Sequence, residues 1–114
     1  MDKFYHGYEG EKAIQFSTEG KKLVIWEGFF DDIMEQFEPD PEGWSGVPYY
    51  YHLAIGWYEE SPWKVPDLKN CLQQFDKVNL SKCRFSESRE VRKEICNIFR
   101  DAIKKDNSVW IAEE

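Results

Sequence analysis

Lys12-Ala13-Ile14-Gln15-Phe16-Ser17-Thr18-Glu19-Gly20-Lys21-Lys22-Leu23-Val24-Ile25-Trp26-Glu27 is the stretch that decides the fold. Residues 12–17 and 22–27 are short apolar or alternating runs, and Glu19-Gly20 between them has the turn chemistry of a hairpin loop. Two antiparallel strands are predicted. Directly after Gly28 the period changes, because Phe29, Phe30, Ile33, Met34 and Phe37 fall on one helical stripe while Asp31, Asp32 and Glu35 lie off it. A helix is predicted over 29–37, ended by Pro39 and Pro41, which lack an amide donor and restrict the residue before them.

Outward from this unit, Glu38-Pro39-Asp40-Pro41-Glu42-Gly43-Trp44-Ser45-Gly46 is dense in breakers and reads as a loop long enough to carry function. Residues 47–58 stay open between two assignments: Pro48 suits the first turn of a helix, the preferred choice, whereas Tyr49-Tyr50-Tyr51 favours a strand. Residues 61–65 read as a connector. Pro66 is expected to open a helix whose apolar positions Leu68, Cys71, Leu72, Phe75 and Val78 keep the 3.6 period. Ser86 is the expected N-cap of a last helix, with Glu87 and Glu90 near its positive end, the stripe Val91, Ile95, Ile98, Phe99, Ala102, Ile103, and Lys104 and Lys105 in the last turn. Residues 108–112 then form a strand that joins the hairpin. The fold class expected is α/β of the α+β kind, a small antiparallel sheet packed with about three amphipathic helices in a single domain over 1–114.

The chain has 114 residues, 22 Asp and Glu against 15 Lys and Arg, a formal charge of −7, 41% hydrophobic and 17% aromatic residues. So much apolar area excludes a disordered acidic tail, and the charge makes a direct nucleic-acid binder improbable, since phosphate backbones call for a basic surface. No apolar run is long enough for a membrane span, and Met1-Asp2-Lys3-Phe4-Tyr5-His6 does not read as a secretory signal. Cys71, Cys83 and Cys96 are odd in number and lack CxxC spacing, which fits reduced thiols in a cytoplasmic protein.

Charge is unevenly placed. Between Lys22 and Lys64 there is no Lys or Arg, yet Glu27, Asp31, Asp32, Glu35, Glu38, Asp40, Glu42, Glu59 and Glu60 lie there, together with 11 of the 19 aromatics. These acids are expected to fold into one continuous acidic face. Such a face repels itself, a cost that is offset when a basic partner is steered onto it. Trp44, Tyr49, Tyr50 and Tyr51 would supply the low-entropy anchors that dominate interface energetics. Trp26, Phe29, Phe30 and Phe37 are better assigned to the core, and an acidic helix face is ordinarily only a solvated one. The three consecutive tyrosines cannot all point the same way, so at least one is expected at the surface.

Catalytic and metal chemistry find little support. Glu38-x-Asp40-x-Glu42-Gly43 starts like a calcium loop, but prolines fill the intervening positions and Tyr49 stands where a bidentate Glu should close it. His6 and His52 are far in sequence from every cysteine, and His52, in an apolar run, is expected to be buried and hydrogen-bonded. There is no GxSxG, no Cys/His constellation and no glycine-rich phosphate loop, and Cys71 and Cys96 sit on apolar stripes as core residues. No catalytic residue, metal ligand or cofactor is assigned.

In size, acidity, aromatic content and lack of catalytic motif, with Trp-Glu-Gly-Phe-Phe-Asp-Asp at 26–32 and Tyr-Tyr-Tyr-His at 49–52, the chain resembles the small bacterial immunity proteins that neutralise polymorphic toxins, particularly those of contact-dependent growth inhibition systems. The resemblance covers the whole chain loosely and implies a cytoplasmic inhibitor of a toxin C-terminal domain, often a nuclease. The partner-binding residues expected on this basis are Asp31, Asp32, Glu35, Glu38, Asp40, Glu42, Trp44, Tyr49, Tyr50, Tyr51, Glu59 and Glu60. Two alternatives remain open: an acidic adaptor or oligomer-forming domain without a toxin partner, and a small ligand-binding domain or enzyme with a Trp- and Tyr-lined cleft. Oligomeric state is not legible.

Overall fold

The computed structural model describes residues 3–53 and 62–113. Strands β1 (Ala13–Thr18) and β2 (Lys21–Trp26) form the expected hairpin, with Ile14 opposite Ile25 and Phe16 opposite Leu23. Gly20 makes the turn possible with φ +77°. β4 (Trp110–Glu113) runs antiparallel on the other side of β1, and β3 (Trp63–Lys64) pairs antiparallel with β4. The sheet order is β2-β1-β4-β3. The stretch 61–65, expected as a connector, thus contributes a short edge strand. Its pairing is set by β4, which leaves no trace in the local pattern of two residues.

Alternation puts Ile14, Phe16, Leu23, Ile25, Ile111 and Trp63 on one face, where all are buried. Helices α1 (Glu27–Met34) and α4 (Ser88–Lys104) pack against β1 and β2, and α3 (Leu68–Lys77) packs on α4. Four fully buried phenylalanines link the layers. Phe16 lies between Phe30 (5.9 Å) and Phe99 (6.1 Å), and Phe99 meets Phe75 at 5.6 Å, all in the edge-on arrangement that ring quadrupoles favour. A second aromatic group closes the end of the sheet, where Tyr8 stacks on Trp26 at 4.2 Å and Phe29 and Phe85 meet Trp26 edge-on. Gly28 permits this group, since a Cβ there would collide with the Trp26 indole. No helix among the described residues is long and apolar enough to cross a membrane.

Several boundaries differ from expectation for physical reasons. α1 stops at Met34, short of Phe37, because Gln36 N and Phe37 N turn back to the carbonyls of Ile33 and Met34 in a tightened last turn. Residues 47–52 settle as helix: α2 spans Gly46–His52 and Leu53 is its C-cap, with 54–58 outside the described residues. Pro66 precedes α3 rather than opening it; Asp67, at φ +44°, is the N-cap and accepts a hydrogen bond from Asn70 N. Ser86 is not the cap of α4. That helix begins at Ser88 after Glu87, with no side-chain cap of its own, and Ser86 Oγ instead donates to Glu87 Oε1.

Candidate functional site

α1 carries the first acids of the base-free stretch, and its geometry gives each a different fate. Asp32 is buried, contrary to its expected place on a binding surface. Its Oδ1 accepts from Arg84 N (2.9 Å), and its Oδ2 accepts from Phe85 N (3.1 Å) and Ser88 Oγ (2.7 Å). Burial alone would raise the Asp32 pKa, but these donors outweigh it and hold the carboxyl below its ordinary value. The carboxylate thus ties α1 to the loop that leads into α4 and to the first residue of that helix.

Glu27, Asp31 and Glu35 follow one another at i, i+4 and i+8 along α1. Desolvation pushes the Asp31 pKa up, repulsion from Glu35 and Glu113 adds to the rise, and a 2.9 Å hydrogen bond from the Tyr51 hydroxyl opposes it. The Glu27 carboxyl is also raised, by burial and then by Asp31 and Glu113. Burial and the hydrogen bond to Asp31 hold the Tyr51 phenol protonated far above its ordinary range. Arg84, from the α3–α4 loop, reaches Glu35 at 3.4 Å and Asp32 at 3.8 Å. The stretch that lacks bases in sequence therefore has one in space, and the acids of 27–42 do not form a uniform face of unpaired carboxylates.

The other half of the stretch is different. Glu38, Asp40 and Glu42 are exposed, and none of the three has an ion pair or a side-chain hydrogen bond among the described residues. A tight turn holds the segment: Asp40 N and Gly43 N each donate to the other's carbonyl, with Gly43 at φ +110°. The loop is pinned to α3 by Gln74 Nε2, which donates to Ser45 O at 3.1 Å, and Gly46 leaves room for the Gln74 carboxamide. Between loop and helix lies an open groove of about 490 Å³, with Phe37, Glu38, Asp40, Trp44, Asn70 and Gln74 among its walls.

α2 distributes the three tyrosines by its 100° rotation per residue. Tyr49 is exposed, Tyr50 stacks on Trp63 at 4.1 Å, and Tyr51 packs edge-on against Phe30 while bonding Asp31. His52 is exposed rather than buried, and its ring stacks on Trp44 at 3.9 Å. The apolar neighbours that suggested burial belong to a short helix with one solvent-facing side. Tyr49 reaches the surface as expected, Trp44 is half-buried against His52, Tyr50 and Tyr51 pack inward, and Glu59 and Glu60 lie outside the described residues.

Arg84, Asn70 and Gln74 belong to this region and were not singled out from the sequence. Each comes from a segment distant in the chain, and only the tertiary fold brings them to the loop. Comparison with protein-family models, with curated proteins and with solved structures gives no match.

Proposed function

We propose that this chain is an inhibitory binding protein of the immunity type, acting in the bacterial cytoplasm on a cognate toxin domain with a basic surface. The observation that carries the proposal is the 38–44 loop: three carboxylates without ion pairs among the described residues stand beside the Trp44–His52 stack and exposed Tyr49. Unneutralised charge steers a basic partner and sets the association rate, while an aromatic anchor that becomes desolvated sets the dissociation rate. A basic nuclease, which must hold phosphate, is the complementary surface. Asp32 has no part in contact, and Asp31 and Glu35 contribute field rather than free carboxylates.

The experiment is co-expression with the toxin encoded beside the gene, followed by stopped-flow association of the purified pair. Reversing Glu38, Asp40 and Glu42 to Lys is expected to lower the association rate by about tenfold or more at low salt, with the difference shrinking as salt rises. Trp44→Ala is expected to leave association nearly unchanged and to raise dissociation by at least about tenfold. A protein that gives no protection, or a complex whose rates ignore both changes, overturns the proposal.

A further inference from the structure

The groove between the loop and α3 has a selective chemistry. Glu38 and Asp40 bring carboxylates to it, and Lys77 is the one cation among the residues described as lining it. Gln36 and Phe37, just past the end of α1, also line it, so the negative end of that helix dipole lies nearby. The carboxylates and the helix end favour a positive charge, and the exposed Lys77 is the one group among those lining residues that opposes it. Trp44 and Phe37 add aromatic surface, and the side-chain amides of Asn70 and Gln74 add neutral polar groups. An ammonium is compact and strongly hydrated, whereas a guanidinium is planar, carries five donors, loses its water more readily and stacks on aromatic rings.

We propose that this groove receives an arginine side chain of the basic partner, its guanidinium bonded to Glu38 and Asp40 and stacked against Trp44. The proposal rests on the inhibitor function above for the source of the arginine, but not for the chemistry of the groove. The protein itself uses a guanidinium in a related way nearby. Arg92 Nη1 donates to the carbonyls of Phe75 (3.1 Å), Asp76 (3.4 Å) and Val78 (3.5 Å), meeting the negative end of α3 from within. Glu38 and Asp40 have no such internal cation among the described residues.

The test uses the free, full chain labelled with 15N and titrated with N-acetyl-arginine N-methylamide, beside the lysine and citrulline counterparts. Citrulline keeps the shape and removes the charge. The expected result is saturable shifts at the Trp44 indole N–H and the Asn70 and Gln74 side-chain amides with arginine, several-fold weaker binding of the lysine compound, and none of the citrulline compound. The double variant E38Q/D40N, altered only at exposed loop positions, is expected to bind the arginine compound about tenfold more weakly while its remaining spectrum stays in place. Absence of saturable shifts, equal binding of citrulline, shifts confined to the Glu27–Asp31–Glu35 stripe, or an unchanged affinity in E38Q/D40N overturns the proposal. Because no toxin is present, each of those failures removes the groove and leaves the inhibitor function standing. Loss of toxin binding with intact arginine binding does the reverse.

Discussion

Replacing Asp32 with Ala is expected to be among the most damaging single changes in the molecule, although the sequence places this residue in an acidic surface run. The carboxylate is fully buried and accepts three hydrogen bonds, two from backbone amides and one from Ser88. Removing it leaves the Arg84 and Phe85 amides and the Ser88 hydroxyl without their acceptor. Each bond to a charged group is worth about 1.5–3 kcal/mol, but the three are not additive, since the loop can partly relax toward water. Arg84 is largely exposed, so its 3.8 Å contact adds little. The expected cost is about 3–5 kcal/mol, a large share of the 5–15 kcal/mol that holds a typical domain. With a urea slope of ~2 kcal/mol per molar, the unfolding midpoint moves down by about 2 M.

A pH arm makes the cause visible. The Asp32 pKa lies below its ordinary 3.8 in the folded protein, so the stabilisation is present above that value and is lost as pH falls through the folded pKa. Urea midpoints of the native chain and Asp32→Asn, measured from pH 7 downward, are therefore expected to stay apart until below about pH 4 and then to converge. An Asp32→Ala protein within about 1 kcal/mol of the native chain at pH 7, or a gap that does not close in acid, would show that the carboxylate does not hold the α3–α4 loop.

Asp31→Asn is expected to stabilise the protein at pH 7 by up to about 1 kcal/mol, because it removes a half-buried, repelled charge while still accepting from Tyr51. Its raised pKa means that the native carboxyl binds its proton more readily than the unfolded one, so this gain is expected to vanish as pH falls; a gain that grows in acid refutes it. Gly46→Ala is expected to cost about 1–3 kcal/mol, since φ is +66° and a Cβ would collide with the Gln74 side chain; amide exchange near α2 that matches the native chain would count against this. Burial pushes the thiols up, Cys71 and Cys83 to about 11 and Cys96 to about 12. Iodoacetamide at pH 8 is therefore expected to modify them at least about tenfold more slowly in the native protein than in urea, with equal rates refuting the assignment.

What could be read from the sequence is what depends on near neighbours. The alternation of 12–27 and the turn at Gly20 place β1 and β2 to within a residue, and the stripe from Val91 to Ile103 marks α4, because a strand or helix face is a local property. Asp32 shows the limit. Its position off the apolar stripe of α1 marks it as solvated, and only the donors of 84–88, more than fifty residues away, make burial affordable. β3 is hidden for the same reason, since two residues have no periodicity and depend on β4 for their pairing. In the candidate site, the exposed Glu38, Asp40, Glu42 and Tyr49 and the half-buried Trp44 were legible from composition. The division of the acids into an anchored set and a free set was not, because Arg84 and Tyr51 reach Glu35 and Asp31 only through the tertiary fold.

The order β2-β1-β4-β3 also dictates a sequence of events in time. β1 and β2 can zip as soon as both leave the ribosome, within microseconds for a hairpin, but the strand that completes the middle of the sheet is made some ninety residues later, as the Thr18–Ser108 hydrogen bond measures. Throughout that interval the inner edge of β1 offers unpaired backbone groups, and Phe16 lacks the cover of Ile111. Crowding, a slow codon or a defect in β4 lengthens the exposure, so the hazard to this protein during synthesis is concentrated in the wait for a single four-residue strand.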